Sequence, residues 1–296
     1  MNKYQDPTDM QTALDCAIRE YEGKNGGYTK NGTTYCNYMN NTEFTGYLKD
    51  MNPIHKAQYR CGGGGELYPG KYPPKMASFG SSSRFIYELS KDIPGFKFEE
   101  KLDTKVGGVA NLDGMLHRGN NYIYVEAKRR EIYGSSHEGL EVKSVYIPVY
   151  EKLKCKQFSY EPKDAKNDNE QEGIKKITFY VNGETVRFFD LKQLICHFLG
   201  ITYDIAKHSV KDAKVTFLYL LYNPSEVEEM IDERYRQRVL KRYEDIKTFV
   251  NKNEKVFESI FRKVLLYQIE TQKLEETNIE FKFKLVDQKN YIKELK

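Results

Sequence analysis

The chain has 296 residues, 39% hydrophobic and 30% charged, with a net charge of +4, which is long enough to bury a large core as one domain and too apolar for a disordered tail. The mildly basic balance is compatible with a nucleic-acid partner without requiring one. Five widely spaced cysteines with no C-x-x-C exclude a disulfide framework, and neither a signal region nor an apolar run long enough for a bilayer is evident, so a reduced, cytoplasmic protein away from membranes is expected.

Met10, Ala13, Leu14, Ala17, Ile18 and Tyr21 recur at helical spacing, so 8–22 reads as a helix that Thr8 can cap. Residues 23–74, rich in Gly, Asn, Tyr and Pro, read as a loop-rich N-terminal extension with helical turns about 44–48 and 54–59. Within it, 65–72 approaches a phosphate-binding loop but places Tyr72 where a hydroxyl would hold magnesium, and Pro73 and Pro74 replace the following helix. Ser81, Ser82 and Ser83 open a short helix that runs to Lys91. Alternation from Phe96 to Leu102 predicts a strand, and a hairpin follows at about 107–118 and 121–132. Residues 133–189 read as a polar insertion holding an apolar patch at 145–153 and a second hairpin, 177–181 and 185–189, that turns on Asn182-Gly183. Asp190 caps a helix over 191–199 that Gly200 ends. The apolar run 215–221 predicts a strand covered on both faces. Residues 225–270 read as helical, divided at 251–253, and Ile279, Phe281, Phe283 and Leu285 mark a last strand. The expected fold class is mixed α/β, a single domain over 1–296.

The first hairpin carries the chemistry. If its turn centres between Gly119 and Asn120, Arg118 pairs with Asn121 and Asp113 faces Glu126, with Cβ atoms ~5 Å apart. Two carboxylates that close repel, and a divalent cation between them reverses the penalty. Lys128 projects from the same face as Glu126, while Ile123, Val125 and Ala127 form an apolar face suited to a core. The same residues also fit the solvated face of an edge hairpin.

The element order helix 82–91, strands 96–102, 107–118 and 121–132, helix 191–199, strand 215–222, with Asp113 in the second strand and Glu126-Ala127-Lys128 in the third, resembles the PD-(D/E)XK nuclease superfamily. Glu88 in the first helix stands where many members place a further acid. Leu112 replaces the motif's proline, and the resemblance covers about 81–132 and 190–222. It implies a restriction-endonuclease-like αβββαβ core, a mixed central sheet flanked by helices; the C-terminal helical region at about 225–270 lies outside the resemblance. It further implies Mg²⁺, or Mn²⁺ in its place, held by Asp113, Glu126 and Glu88, with Lys128 assisting the water that attacks a DNA phosphodiester.

Ser82, Ser83 and Arg84 at a helix start, and Arg129 and Arg130 after Lys128, are the candidate contacts to a nucleic-acid backbone. Helix capping, an Arg84–Glu88 pair and a solvated strand end explain them equally well. DNA is the expected partner, and a homodimer stays open. The alternative is a non-catalytic nucleic-acid-binding or protein-interaction module, for which the tyrosine-rich N-terminus offers a surface.

Overall fold

The computed structural model describes residues 9–62, 65–70, 72–130, 140–162, 174–208, 210 and 212–296. Helix α1 (Met10–Tyr21) starts at Asp9, which accepts the Thr12 N–H at 2.7 Å; Thr8 lies outside the described residues. Ala13, Leu14, Ala17 and Ile18 bury as their spacing predicts, but Tyr21 is exposed and Asp15 is fully buried instead. The extension expected to be irregular is largely regular. Strands β1 (Gly26–Lys30) and β2 (Thr33–Met39) form a hairpin, and α2 (Asn41–Asp50) and α3 (Pro53–Cys61) follow. Asn40 and Asn52 cap these helices by accepting the Glu43 and Ile54 N–H groups. The hairpin escapes a period-2 reading because β2 has no buried face, only a buried end at Met39.

Helix α4 (Ser82–Ser90) leads into β3 (Lys97–Asp103), β4 (Val109–Arg118) and β5 (Asn121–Lys128). The β4–β5 turn is Gly119-Asn120, with Gly119 at φ +60°, and Arg118 pairs with Asn121 as expected. The insertion then contributes β6 (Leu140–Lys143), α5 (Ile147–Leu153), β7 (Phe158–Pro162), β8 (Ile174–Val181) and β9 (Glu184–Thr185). These strands form a separate four-stranded sheet, β6-β8-β7 with β9 beside β8. The second hairpin is therefore shorter on its far side than the alternation predicts. After Val186, whose N–H donates to the Phe179 carbonyl, the chain turns at Phe188, φ +49°, so that Phe189 can pack on Tyr219 and Phe257.

Helix α6 (Leu191–Lys207), β10 (Ala213–Leu221), α7 (Glu233–Gln272), β11 (Ile279–Val286) and α8 (Gln288–Glu294) complete the chain. The central sheet is mixed, in the order β11-β10-β5-β4-β3, with β10 parallel to both neighbours and β3–β4 and β4–β5 antiparallel. Helices α6 and α7 pack on one side and α4 and α8 on the other. Strand β10 lies inside this sandwich, between β11 and β5. Val215, Phe217, Leu218, Leu220 and Leu221 are all buried, each worth ~1.5–3 kcal/mol relative to exposure.

Two helix boundaries differ from the sequence reading. Gly200 does not end α6 but lies inside it, at its contact with the sheet: a Cβ there would come within 2.7 Å of the Ala110 Cβ and 2.9 Å of the Leu102 Cβ. Asn253 does not break α7, which runs unbroken for 40 residues. Its amide is buried, donating to the Phe249 carbonyl and accepting from the Asn182 amide, so the polar side chain ties the helix to the Asn182 turn. Among the described residues no helix is long and apolar enough to cross a membrane, and all five cysteines are free thiols.

Candidate active site

The central sheet loosens at one row, and the acids stand there. On the β3–β4 ladder, Phe98↔Gly114 and Glu100↔Leu112 pair, while Glu99 and Asp113 between them do not. On the β4–β5 ladder the last pair is Gly114↔Val125, one step short of Asp113 and Glu126. The direct Asp113–Glu126 pairing expected from the turn is thus in register but unmade. The reason is local. Glu99 takes φ +55°, a left-handed conformation that costs energy in any non-glycine residue, and Asp113 turns its carboxylate onto the Ala127 N–H, which donates to Oδ2 at 2.7 Å. Three adjacent strands therefore deliver Glu99, Asp113 and Glu126 to one cavity of about 770 Å³.

Charge crowding is severe in this cavity. Burial, and then the charges of Glu126 and Glu99, push the Asp113 carboxyl well above its usual range. Burial pushes Glu99 up to about 7, and the nearby Glu66 adds to it. Burial also acts to raise Glu126, but the Lys128 ammonium and His197 outweigh it and hold this carboxyl below the usual range. Lys128 Nζ lies 2.7 Å from Glu126 Oε1 and donates to Gln193 Oε1 at 2.7 Å. His197 Nε2 lies 2.9 Å from Glu126 Oε2, at angles outside hydrogen-bond range. Gln193 and His197 are four residues apart on one face of α6, so a single helix orients both the lysine and its glutamate.

The N-terminal extension supplies a fourth acid. Glu66 is 4% exposed; Oε1 accepts from Lys75 Nζ at 3.1 Å, and Oε2 has no partner among the described residues. Gly63, Gly64 and Lys71 of the adjoining loop lie outside the described residues.

The other sequence-derived candidates divide. Ser82 and Ser83 line the cavity, and Ser83 Oγ donates to Glu99 Oε1 at 3.1 Å; Ser81 is the helix cap, accepting the Arg84 N–H. Arg130 also lines it, tied to the buried Asp15 at 2.8 Å. Arg84 and Arg129 do not reach it. They are 3% and 5% exposed, and both bind Glu22 at the end of α1 at 2.9 Å. Arg129 lies 5.4 Å from the Phe85 ring and 5.1 Å from that of Tyr222, so its guanidinium is held between α1, α4 and the end of β10 and not in the acid cavity. Glu88 is likewise displaced from the expected set: it pairs with Lys91 at 2.7 Å and lines a separate cleft beside Tyr47 and His55. The third carboxylate beside Asp113 comes from strand β3, as Glu99. Sequence reasoning missed Glu99, Glu66, Gln193 and His197. For the last two, the signal was their i, i+4 spacing just after the Asp190 cap; for Glu99 and Glu66 no local signal exists.

A divalent cation suits this donor set. The oxygens are hard, the acids repel one another, and Glu66 keeps an unpartnered buried oxygen. Among the described residues no three acid, histidine or cysteine side chains are gathered as a metal-ligand set, and Glu126 lies against Lys128 and His197. Comparison of the chain with protein-family models, curated proteins and solved structures gives no match.

Proposed function

We propose that this chain is a metal-dependent nuclease that hydrolyses DNA phosphodiester bonds on a restriction-endonuclease-like core. One observation carries the reading: Asp113 and Glu126 on adjacent strands share a cavity with Lys128, in an element order that is αβββαβ once β6 to β9 and α5 of the insertion are set aside. Asp113 and Glu126, with Glu99 in place of Glu88, would hold Mg²⁺ or Mn²⁺. Such a cation, when bound, neutralises charge developing on a phosphate and acidifies a water. The protein's own residues do the rest. Lys128, held between Glu126 and Gln193, orients a water by hydrogen bonding at Nζ. The Ala127 N–H fixes Asp113, and the His197 ring lies 2.9 Å from the far oxygen of Glu126. Ser82, Ser83, Lys75, Lys101 and Arg130 line the cavity and offset its negative charge as a phosphodiester approaches.

A second reading, a nucleic-acid-binding module without turnover, is favoured by the closed Glu126–Lys128 pair and the absence of a ready ligand set among the described residues. The test is incubation with single-stranded, duplex and branched DNA in Mg²⁺ or Mn²⁺ and then in EDTA, beside Asp113→Asn and Lys128→Met. The nuclease reading expects metal-dependent cleavage that falls by about 10²–10⁴-fold in each variant, the scale of ~3–5 kcal/mol of transition-state stabilisation. Full cleavage by both variants would sink it. Salt-sensitive binding without cleavage would establish the module reading instead.

A further inference from the structure

A second cavity of about 600 Å³ opens beside the acids, between α6, β4 and the sheet of the insertion. It shares Val109, Asn111 and Gln193 with the acid cavity, so the two meet over one ridge. Its size falls within the ~300–1,000 Å³ usual for small-molecule sites and would admit a base and sugar, but not a stacked duplex. Its walls combine apolar and aromatic groups, Val142, Ile174 and Tyr146, with the two amides of the ridge, and their charges balance, Glu141 and Asp190 against Lys143 and Lys192.

The ridge is equipped for recognition. Asn111 is exposed, and its amide has no partner among the described residues. Gln193 spends Oε1 on Lys128 Nζ, and its Nε2 has no partner among the described residues. Amides offer donor and acceptor together, the pattern that matches the edge of a base. The Tyr146 ring is held in place from behind: it stacks at 6.3 Å on Tyr150, its hydroxyl lies 3.8 Å from Cys196 Sγ, and a Cβ on Gly108 would stand 2.2 Å from that hydroxyl oxygen. Val109 is 51% exposed at the mouth, an apolar rim of the sort a base covers. Lys143 at the wall supplies a cation for the sugar-phosphate backbone.

We propose that this second cavity binds an unstacked nucleobase of the DNA strand whose phosphate lies at the acids, so that the substrate is single-stranded or locally opened DNA. The inference rests on the nuclease reading and adds the substrate's form to it. Gln193 links the two: it touches the base on one side and positions Lys128 on the other.

The test uses a short single-stranded DNA carrying 2-aminopurine next to the cleavable phosphate, in EDTA so that no cleavage occurs. Binding to the full chain is expected to change 2-aminopurine emission and to be at least tenfold tighter than binding of the matching duplex. Tyr146→Ala and Asn111→Ala should each weaken single-strand binding, Tyr146→Ala by about tenfold, the loss of one base–aromatic contact at ~1.4 kcal/mol. Asn111 is on the surface, so its variant tests the idea even if Tyr146→Ala fails to fold. Equal affinity for duplex and single strand, with both variants binding like the wild type, would overturn the inference. If cleavage in Mg²⁺ persisted alongside that result, only the base cavity would be refuted. If the chain neither bound nor cleaved any DNA, the nuclease reading would fall with it.

Discussion

Glu22 illustrates how much of the charge near the acids is structural. One carboxylate at the end of α1 accepts from two buried guanidiniums, Arg84 and Arg129, that reach it from α4 and from the end of β5. Removing it leaves both charges buried without that partner, so Glu22→Ala is expected to destabilise the fold by about 3–5 kcal/mol in urea unfolding. A loss below ~1 kcal/mol would mean that water or other groups satisfy the two arginines. Asp15 makes a related prediction in pH. Burial outweighs Arg130 and raises its carboxyl from the ordinary 3.8 to about 6. The folded chain therefore binds this proton more tightly than the unfolded chain does. The resulting stability is fully present below about pH 4 and is lost as pH rises through about 6, up to about 3 kcal/mol for one group. Asp15→Asn cannot lose it, so the variant should gain stability relative to the wild type between pH 4 and 7 in thermal melts. A difference that stays constant with pH would show that Asp15 titrates normally.

At the level of elements, helix α6 is the part that joins core to chemistry. Its first turns carry Gln193 and His197 to Lys128 and Glu126, and its middle rests on β3 and β4 through Gly200. A methyl at that glycine has no room against Ala110 and Leu102. Gly200→Ala is expected to cost about 1–3 kcal/mol despite alanine's better helix propensity, since overpacking wins over the ~1 kcal/mol that propensity offers. Urea denaturation checks this, and a stabilised variant would refute the close contact. The sequence suggested that Gly200 stopped the helix because glycine after an apolar run is the usual C-terminal signal. Only the neighbouring sheet reveals that this glycine is there for the close approach of two elements. Asn253 misled in the same way: an asparagine-rich stretch reads as a boundary, yet its amide is bonded inside an unbroken helix.

For the whole molecule, the acids crowd negative charge into one cavity, a cost that a cation held there would relieve. If Asp113, Glu126 and Glu99 hold Mg²⁺, the metal binds the folded chain and not the unfolded one. Mg²⁺ at 100 times its dissociation constant should then add about 2.7 kcal/mol of stability, seen as a rise in melting temperature. Asp113→Asn should abolish most of that rise. A wild-type melting temperature indifferent to Mg²⁺ and Mn²⁺ would exclude a resident divalent cation at these acids. The N-terminal extension belongs to this unit, because it supplies Glu66 to the cavity and, through α1, Asp15 and Glu22 to the arginines that follow Lys128.

What the sequence determined by itself is the hairpin and the three residues it mounts. A two-residue turn fixes register and strand period fixes face. Both are local properties, so residue order alone brings Asp113, Glu126 and Lys128 together. The apolar run of β10 announced a strand covered on both faces, whereas the mixed sheet was an expectation of the family resemblance. The tertiary structure decided the rest. Glu99 and not Glu88 joins the acids because one left-handed residue re-aims β3, and no pattern of residue types announces that. Arg84 and Arg129 do not line the acid cavity because a helix end 62 and 107 positions earlier presents Glu22 to them. Gln193, His197 and Glu66 arrive from elements far apart in the chain. Contacts of that kind depend on how helices pack against a sheet, which the periodicity of a single sequence does not encode.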